Sequence, residues 1–256
     1  MGRFVALTIA GSDSGGGAGI EADIKTFQAL GVHGTVAITA VTSQNTLGVQ
    51  SVFDIPPHVI ASQIESVMSD FDVTYAKTGM LSRAETVEIV AKKVADHHLK
   101  IVVDPVMAAE SGGRLLNPDA VETLIKKLLP IAEVTTPNTF EASVLSGVKI
   151  KDLKSAMKAC KVIYDMGVKN VMITGGHMGG VDILYDGDFK LYRGKLVKGG
   201  THGTGCTYAA ALTAYLARGE SIIDSCAKAK TFVKKAVLNS MDVGHGVGPV
   251  NPGGKK

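Results

Sequence analysis

The sequence predicts an α/β protein with a large, mostly parallel sheet covered by helices on both faces and a small antiparallel flap. Three observations predict it. Short apolar runs alternate with stretches of helical period, glycine-rich or polar turns follow those runs, and two segments break the alternation with a period of two. At 256 residues, with 45% hydrophobic and 20% charged residues, the chain can bury one sizeable core, so residues 1–256 are read as a single domain.

The first apolar run is Phe4 to Ala10, and a glycine-rich loop from Gly11 to Gly19 follows it. Ile20, Ile24, Phe27 and Leu30 then fall on one helical face that Gly31 stops, which makes the opening βα unit. Thr35 to Val41, Val73 to Ala76, Ile101 to Val103, Val134 to Thr136 and Val171 to Ile173 are too short for helices and are read as buried strands. Val49 to Ile55 alternates polar and apolar residues. Asp182 to Tyr192 reads as a hairpin turning at Asp186-Gly187. The glycine-rich stretch from Val243 to Lys256 is too short and polar for an independent unit, although Gly244 to Pro249 can pack as an ordered loop.

Charge and cysteine content exclude several classes. The 27 basic and 24 acidic residues are interspersed, and no Lys/Arg block interleaves with aromatics, so a nucleic-acid partner is not expected. Cys160, Cys206 and Cys226 match no zinc spacing and cannot all pair with one another, which favours a reducing compartment. The apolar segment after Met1-Gly2-Arg3 meets glycine by Gly11, too soon for a membrane span or a signal-peptide pattern. A cytoplasmic protein without membrane contact is the expectation.

Ligands of parallel sheets bind beyond the carboxyl ends of the strands, so residues just past each run carry the chemistry. Gly203-Thr204-Gly205-Cys206 precedes a helix of small and apolar residues. Free N–H groups and a positive dipole end there suit a transferring phosphate. A packed turn before a core helix is the competing reading. At that helix start Cys206 is expected to have a lowered pKa and to take a hydroxyl proton, or else to fill the turn as a small apolar residue. Asp104 and Glu141 end two other strands and can hold Mg²⁺, usually through water. Asp104 can alternatively move a proton, and Glu141 can simply complement a helix dipole.

Gly17-Ala18-Gly19-Ile20-Glu21-Ala22 matches a dinucleotide fingerprint, but no Asp or Glu lies between Asp23 and Asp54 to hold a ribose. A Rossmann oxidoreductase is therefore disfavoured, and no Gly-x-x-x-x-Gly-Lys-Ser/Thr supports a P-loop kinase. Gln44 carries an amide donor and acceptor suited to a ring nitrogen beside an amino group, and Met80 and Val106 can wall such a pocket. His177 and His202 are read as orienting or surface groups.

Taken in order, these motifs closely resemble the hydroxymethylpyrimidine/phosphomethylpyrimidine kinases of thiamine biosynthesis, in the ribokinase-like superfamily. The resemblance runs from Leu7-Thr8-Ile9-Ala10-Gly11-Ser12-Asp13 through Gln44-Asn45-Thr46, Lys77-Thr78-Gly79-Met80 and Asp104-Pro105-Val106-Met107. Thr136-Pro137-Asn138, Gly175-Gly176-His177, Thr201 to Thr207 and Gly244 to Val250 continue it. It implies a three-layer α/β/α fold and ATP- and Mg²⁺-dependent phosphorylation of 4-amino-5-hydroxymethyl-2-methylpyrimidine and then of its monophosphate. A pyridoxal or pyridoxine kinase is the nearest alternative, and a non-catalytic sensor a remote one. Gln44 would hold the pyrimidine, with Gly11, Asp13, Ala18, Met80 and Val106 shaping its pocket. Cys206 would face the hydroxymethyl group, Gly203, Thr204 and Gly205 would frame the anion hole, and Asp104 and Glu141 would serve the metal. Asn138, Thr174, Gly176, Lys198 and Thr201 fall on the nucleotide side. Many relatives carry a phosphate-contacting lysine where this chain has Thr174, and Lys77 or Lys198 is expected to supply that charge. A homodimer is the expected assembly.

Overall fold

The structure is a computed structural model that describes residues 4–108, 113 and 115–254, apart from the side chain of His177. The expectations for Met1, Gly2, Arg3, Lys255, Lys256 and the His177 imidazole lie outside the described residues.

Among the described residues, nine strands form one sheet. They are β1 (Val5–Asp13), β2 (His33–Asn45), β3 (Gly48–Asp54), β4 (Tyr75–Thr78), β5 (Lys100–Val103), β6 (Ala132–Thr135), β7 (Val171–Ile173), β8 (Val181–Tyr185) and β9 (Phe189–Arg193). The spatial order is β3-β2-β1-β4-β5-β6-β7-β8-β9. The six strands from β2 to β7 in that order pair in parallel, while β3, β8 and β9 add antiparallel pairs at the two edges. Each expected apolar run therefore overlaps a strand, although Phe4, Val73, Thr74 and Thr136 fall outside, and both period-two segments are the antiparallel ones.

Strand ends differ from the sequence reading at β1 and β2. β1 continues past Ala10 to Asp13 because β2 also runs on, and Ser12 and Asp13 pair with Val41 and Thr42 beyond an irregularity at Gly11. The extension carries Asp13 and Gln44 on ordered backbone rather than on a loop.

The helices are α1 (Gly19–Ala29), α2 (Pro57–Met68), α3 (Ala84–Asp96), α4 (Pro118–Thr123), α5 (Thr139–Ser146), α6 (Leu153–Tyr164), α7 (Thr204–Ala217) and α8 (Ile222–Leu238). The strands sort their side chains between two helical layers with a period of two. Ile101 and Val103 of β5 face a core with Ile60, Ile64, Val87, Val90 and Ile163 from α2, α3 and α6. Val102, between them, faces Tyr208, Leu212 and Cys226 from α7 and α8. Nine residues of α7 are buried, so it is covered all round, as its small and apolar composition requires. No helix is long and apolar enough to cross a membrane among the described residues.

Candidate active site

The chain order reverses where β1 lies beside β4, so the crevice at that switch point opens between the segments following these two strands. Gly11 and Met80 meet there: a Cβ on Gly11 would lie 3.3 Å from the Met80 sulfur. Met80 is buried, and Val106, just beyond β5, is half-buried.

Asp13, at the end of β1, organises the first glycine loop. Its carboxylate accepts from the amides of Gly15 (2.8 Å), Gly17 (3.0 Å) and Ala18 (2.9 Å), and lies 2.9 Å from His202 Nε2. Burial alone would raise this carboxyl, but hydrogen bonds from His202, Ala18 and Gly15 hold it below the usual carboxylate range. From α1, Glu21 accepts from Ser12 Oγ and the Asp13 amide and ties the end of β1 down. Gln44, at the end of β2, lies across the crevice, 3.2 Å from Thr42 Oγ1 and 3.4 Å from His202 Nε2.

Two helix N-termini converge here, where the sequence reading used one. Gly203 enters α7 with φ of +84°, and a Cβ on it would stand 1.8 Å from the Gly17 carbonyl oxygen, so only glycine lets the two loops touch. Cys206, in the first turn of α7, lies near the start of α1, where the Gly19 backbone favours its charged form. The free amides and dipole ends of both helices thus favour an anion in one place. A Cβ on Gly205 would meet nothing within 4 Å, so this residue borders open space.

The helix start does not make Cys206 a thiolate. Burial pushes its thiol up to about 12, and Asp104 and Asp23 push the same way, outweighing the Lys77 cation and the Gly19 amide. The expected lowering at the helix start is corrected: desolvation of the charged form is the largest cause and raises the thiol.

Asp104 follows β5 almost fully buried, and its Oδ2 has no hydrogen-bond partner. Glu141 in α5 is 6% exposed and accepts from the amides of Asn138 (2.9 Å) and Met107 (3.4 Å). Burial, and then the charge of Asp104, raise Glu141, while burial raises Asp104. Two buried carboxylates at close quarters, one with an orphaned oxygen, suit a hard cation. Among the described residues no three acidic, His or Cys groups gather, so water or phosphate oxygens would complete such a cation's shell. Glu141 also closes a capping box with Asn138, so it serves the helix start as well.

Asn138 and Thr174 pair across the ends of β6 and β7, and the Thr174 amide donates to the Pro137 carbonyl at 3.0 Å. Gly176 is exposed in the following turn. The Thr201 carbonyl accepts from the amide and hydroxyl of Thr204 ahead of α7. Lys198 is exposed, and no ion pair joins it to another described residue. An open cleft of about 400 Å³ starts at the next residue along the chain, lined by Gly199, Gly200, Ser240, Met241, Asp242 and Gly248 among others.

Lys77 does not reach that surface. It is fully buried, with Nζ 2.9 Å from both Asp23 oxygens, and Asp23 also accepts from Thr8 Oγ1 at 2.6 Å. Burial alone would lower the Lys77 ammonium, but Asp23, Cys206 and Asp104 outweigh it and keep the cation. Lys77 is therefore an internal charge beneath Cys206 and Asp104, not an exposed phosphate contact. Sequence reasoning missed Asp23, Thr8 and the Asp13–His202 pair. Their only sequence signal was a polar residue inside an apolar segment, as at Thr8, Asp23 and Lys77.

Comparison with known proteins gives a consistent picture. A family model described as phosphomethylpyrimidine kinase matches residues 13–251. A hydroxymethylpyrimidine/phosphomethylpyrimidine kinase of Haemophilus influenzae is 48% identical over 255 residues, covering 96% of this chain and 95% of the relative. A thiamine biosynthesis bifunctional protein of Geobacter sulfurreducens is 43% identical over 255 residues, and there the chain spans only 52% of the relative's length. Among solved structures, the pyridoxal kinase of Staphylococcus aureus in complex with pyridoxal superposes with a TM-score of 0.91 at 39% identity. That match covers 99% of this chain and 94% of the other. The same enzyme has been captured with AMP-PCP and pyridoxal. The ribokinase-like fold expected from the sequence is thereby shown.

Proposed function

This chain belongs to the phosphomethylpyrimidine kinase family, and from that premise we propose that it phosphorylates 4-amino-5-hydroxymethyl-2-methylpyrimidine and then its monophosphate, using ATP. The observation that carries this reading is the convergence of the α1 and α7 N-termini on the crevice where Gln44, Met80 and Cys206 lie. An anion site and a ring-reading amide then share one cleft, as transfer of a phosphoryl group to a hydroxymethyl heterocycle requires.

In this reading Gln44 holds the pyrimidine, and Gly11, Asp13, Ala18, Met80 and Val106 shape the pocket. Gly203 and Gly205 present amides to the equatorial oxygens of the transferring phosphoryl group, and Thr204, whose own amide donates to the Thr201 carbonyl, frames the turn between them. Cys206 takes the hydroxymethyl proton as that oxygen attacks phosphorus. Because Cys206 is a thiol at rest, the proton transfer needs the thiolate that the Lys77 cation and the Gly19 amide favour. Asp104 and Glu141 are the residues that would hold Mg²⁺. That ion, when bound, offsets charge on the phosphate oxygens. Asn138, Thr174, Gly176, Lys198 and Thr201 are assigned to the nucleotide, and Lys198 is the exposed cation nearest in sequence to the 400 Å³ cleft. A cytoplasmic homodimer completes the proposal, and sedimentation equilibrium tests its assembly.

The likeness to pyridoxal kinase supports one competing substrate class. Specificity constants for the hydroxymethylpyrimidine and for pyridoxal, pyridoxine and pyridoxamine separate the two. The pyrimidine is expected to lead. A large advantage for a B6 vitamer would overturn the assignment while leaving the kinase chemistry intact.

A further inference from the structure

Gln44 sits among polar groups that constrain its amide. One end of the amide lies 3.4 Å from His202 Nε2, and the other 3.2 Å from Thr42 Oγ1. His202 Nε2 also lies 2.9 Å from Asp13 Oδ2, and Thr42 Oγ1 lies 2.9 Å from the Ser12 carbonyl oxygen. Asp13 is a carboxylate, held so by its amide and imidazole donors, and a carboxylate only accepts. The hydrogen between them must therefore sit on His202 Nε2. A Gln44 NH₂ group turned towards that N–H would set donor against donor.

The Thr42 hydroxyl leads to the same end. It has one hydrogen, and the 2.9 Å contact to the Ser12 carbonyl uses it. At Gln44, Thr42 is then left to accept. The structure sets the NH₂ end at His202 and the carbonyl end at Thr42, and both requirements are met by turning the amide over, with its carbonyl towards His202 and its NH₂ towards Thr42. The two ends of an amide are nearly the same shape, so only such a network distinguishes them.

We propose that His202, held by Asp13, is a specificity-determining positioning residue that fixes which way the Gln44 amide faces. The inference rests on the reading of Gln44 as the group that holds the pyrimidine. A carbonyl turned towards the His202 N–H, whose hydrogen Asp13 holds at the shorter distance and the carbonyl shares at the longer one, keeps a lone pair, and an NH₂ that donates to Thr42 keeps one hydrogen. That remaining acceptor–donor pair complements a ring nitrogen beside an exocyclic amino group. A hydroxymethylpyridine lacks that pattern, so a loosened amide costs the pyrimidine more than it costs pyridoxine.

The pair also joins two segments far apart in the chain. A Cβ on Gly17 would lie 2.2 Å from the His202 ring, and the His202 backbone exchanges hydrogen bonds with Gly248 and Val250. The side chain that orients Gln44 is therefore seated by the first glycine loop and the segment after α8 together.

His202→Leu and His202→Gln variants of the full chain test this, with kcat and KM measured for the pyrimidine, pyridoxine and ATP. Loss of the contact that orients the amide is expected to raise KM for the pyrimidine roughly 10-fold in His202→Leu, with kcat and the KM for ATP little changed. The preference over pyridoxine narrows, and His202→Gln, whose amide can donate from a similar place, restores most of it. In a Gln44→Ala background, His202→Leu should have no further effect. Additive losses in the double variant would overturn the inference and leave the reading of Gln44 standing. A Gln44→Ala variant with unchanged KM would instead overturn that reading, and the inference with it. Equal losses for all three substrates alongside a lowered Tm would show a merely structural role and overturn the inference too.

Discussion

Cys206 takes its surroundings from three separate segments: the Gly19 amide, the Asp104 carboxyl after β5, and the buried Lys77–Asp23 pair. Its thiol stands at about 12, so the thiolate fraction rises tenfold with each pH unit across the neutral range. If the thiolate is the base, kcat climbs with pH in the wild-type chain. Cys206→Ala is expected to lower kcat by ~10²- to 10⁴-fold and to flatten that pH profile, with the KM for ATP nearly unchanged. Steady-state kinetics between pH 6 and 9 checks both. A rate that stays at the wild-type level would leave positioning by the turn as the source of catalysis. The position of Cys206 was legible in the sequence, because a glycine-flanked cysteine opening a helix is a local pattern. Its protonation was not. Burial of the thiol itself is the largest cause, and the segments that bury it lie far away along the chain.

At the scale of elements, the start of α7 depends on two glycines for different reasons. Gly203 has φ of +84° and no room beside Gly17, while Gly205 faces open space. Gly203→Ala is expected to cost about 1–3 kcal/mol through backbone strain alone, and more through the collision with the first loop. Gly205→Ala should leave stability almost unchanged. Thermal unfolding of the two variants side by side measures the contrast, and equal losses would contradict the tight contact between the loops. The strands were readable because each is a short apolar run bounded by turn residues, and the hairpin was readable from Asp186-Gly187. The extension of β1 to Asp13 was not, since Ser12 and Asp13 are strand residues only by pairing with β2. The convergence of α1 with α7 was hidden for the same reason: Gly17 and Gly203 meet only in the folded sheet.

For the whole molecule, one sheet serves two helical layers, and β5 alone sends neighbouring residues into both cores. A change in one layer is felt through that sheet in the other. We expect a single calorimetric transition, as for one domain, that moves upward when a substrate and a nucleotide that bind only the folded state are both present. A ligand at 100 times its Kd adds about 2.7 kcal/mol. Two separable transitions would contradict the single-domain reading. The packing around β1 also bears on how the protein is made. Ala6, Phe27 and Val32, near the beginning of the chain, share their core with Ala210 and Ala214 of α7. During translation the first βα unit therefore waits, with its apolar face uncovered, until α7 has left the ribosome. Throughout that interval the growing polypeptide offers a binding surface to chaperones and to neighbouring nascent chains. The same helix that completes the phosphate site is also the one that ends this exposure.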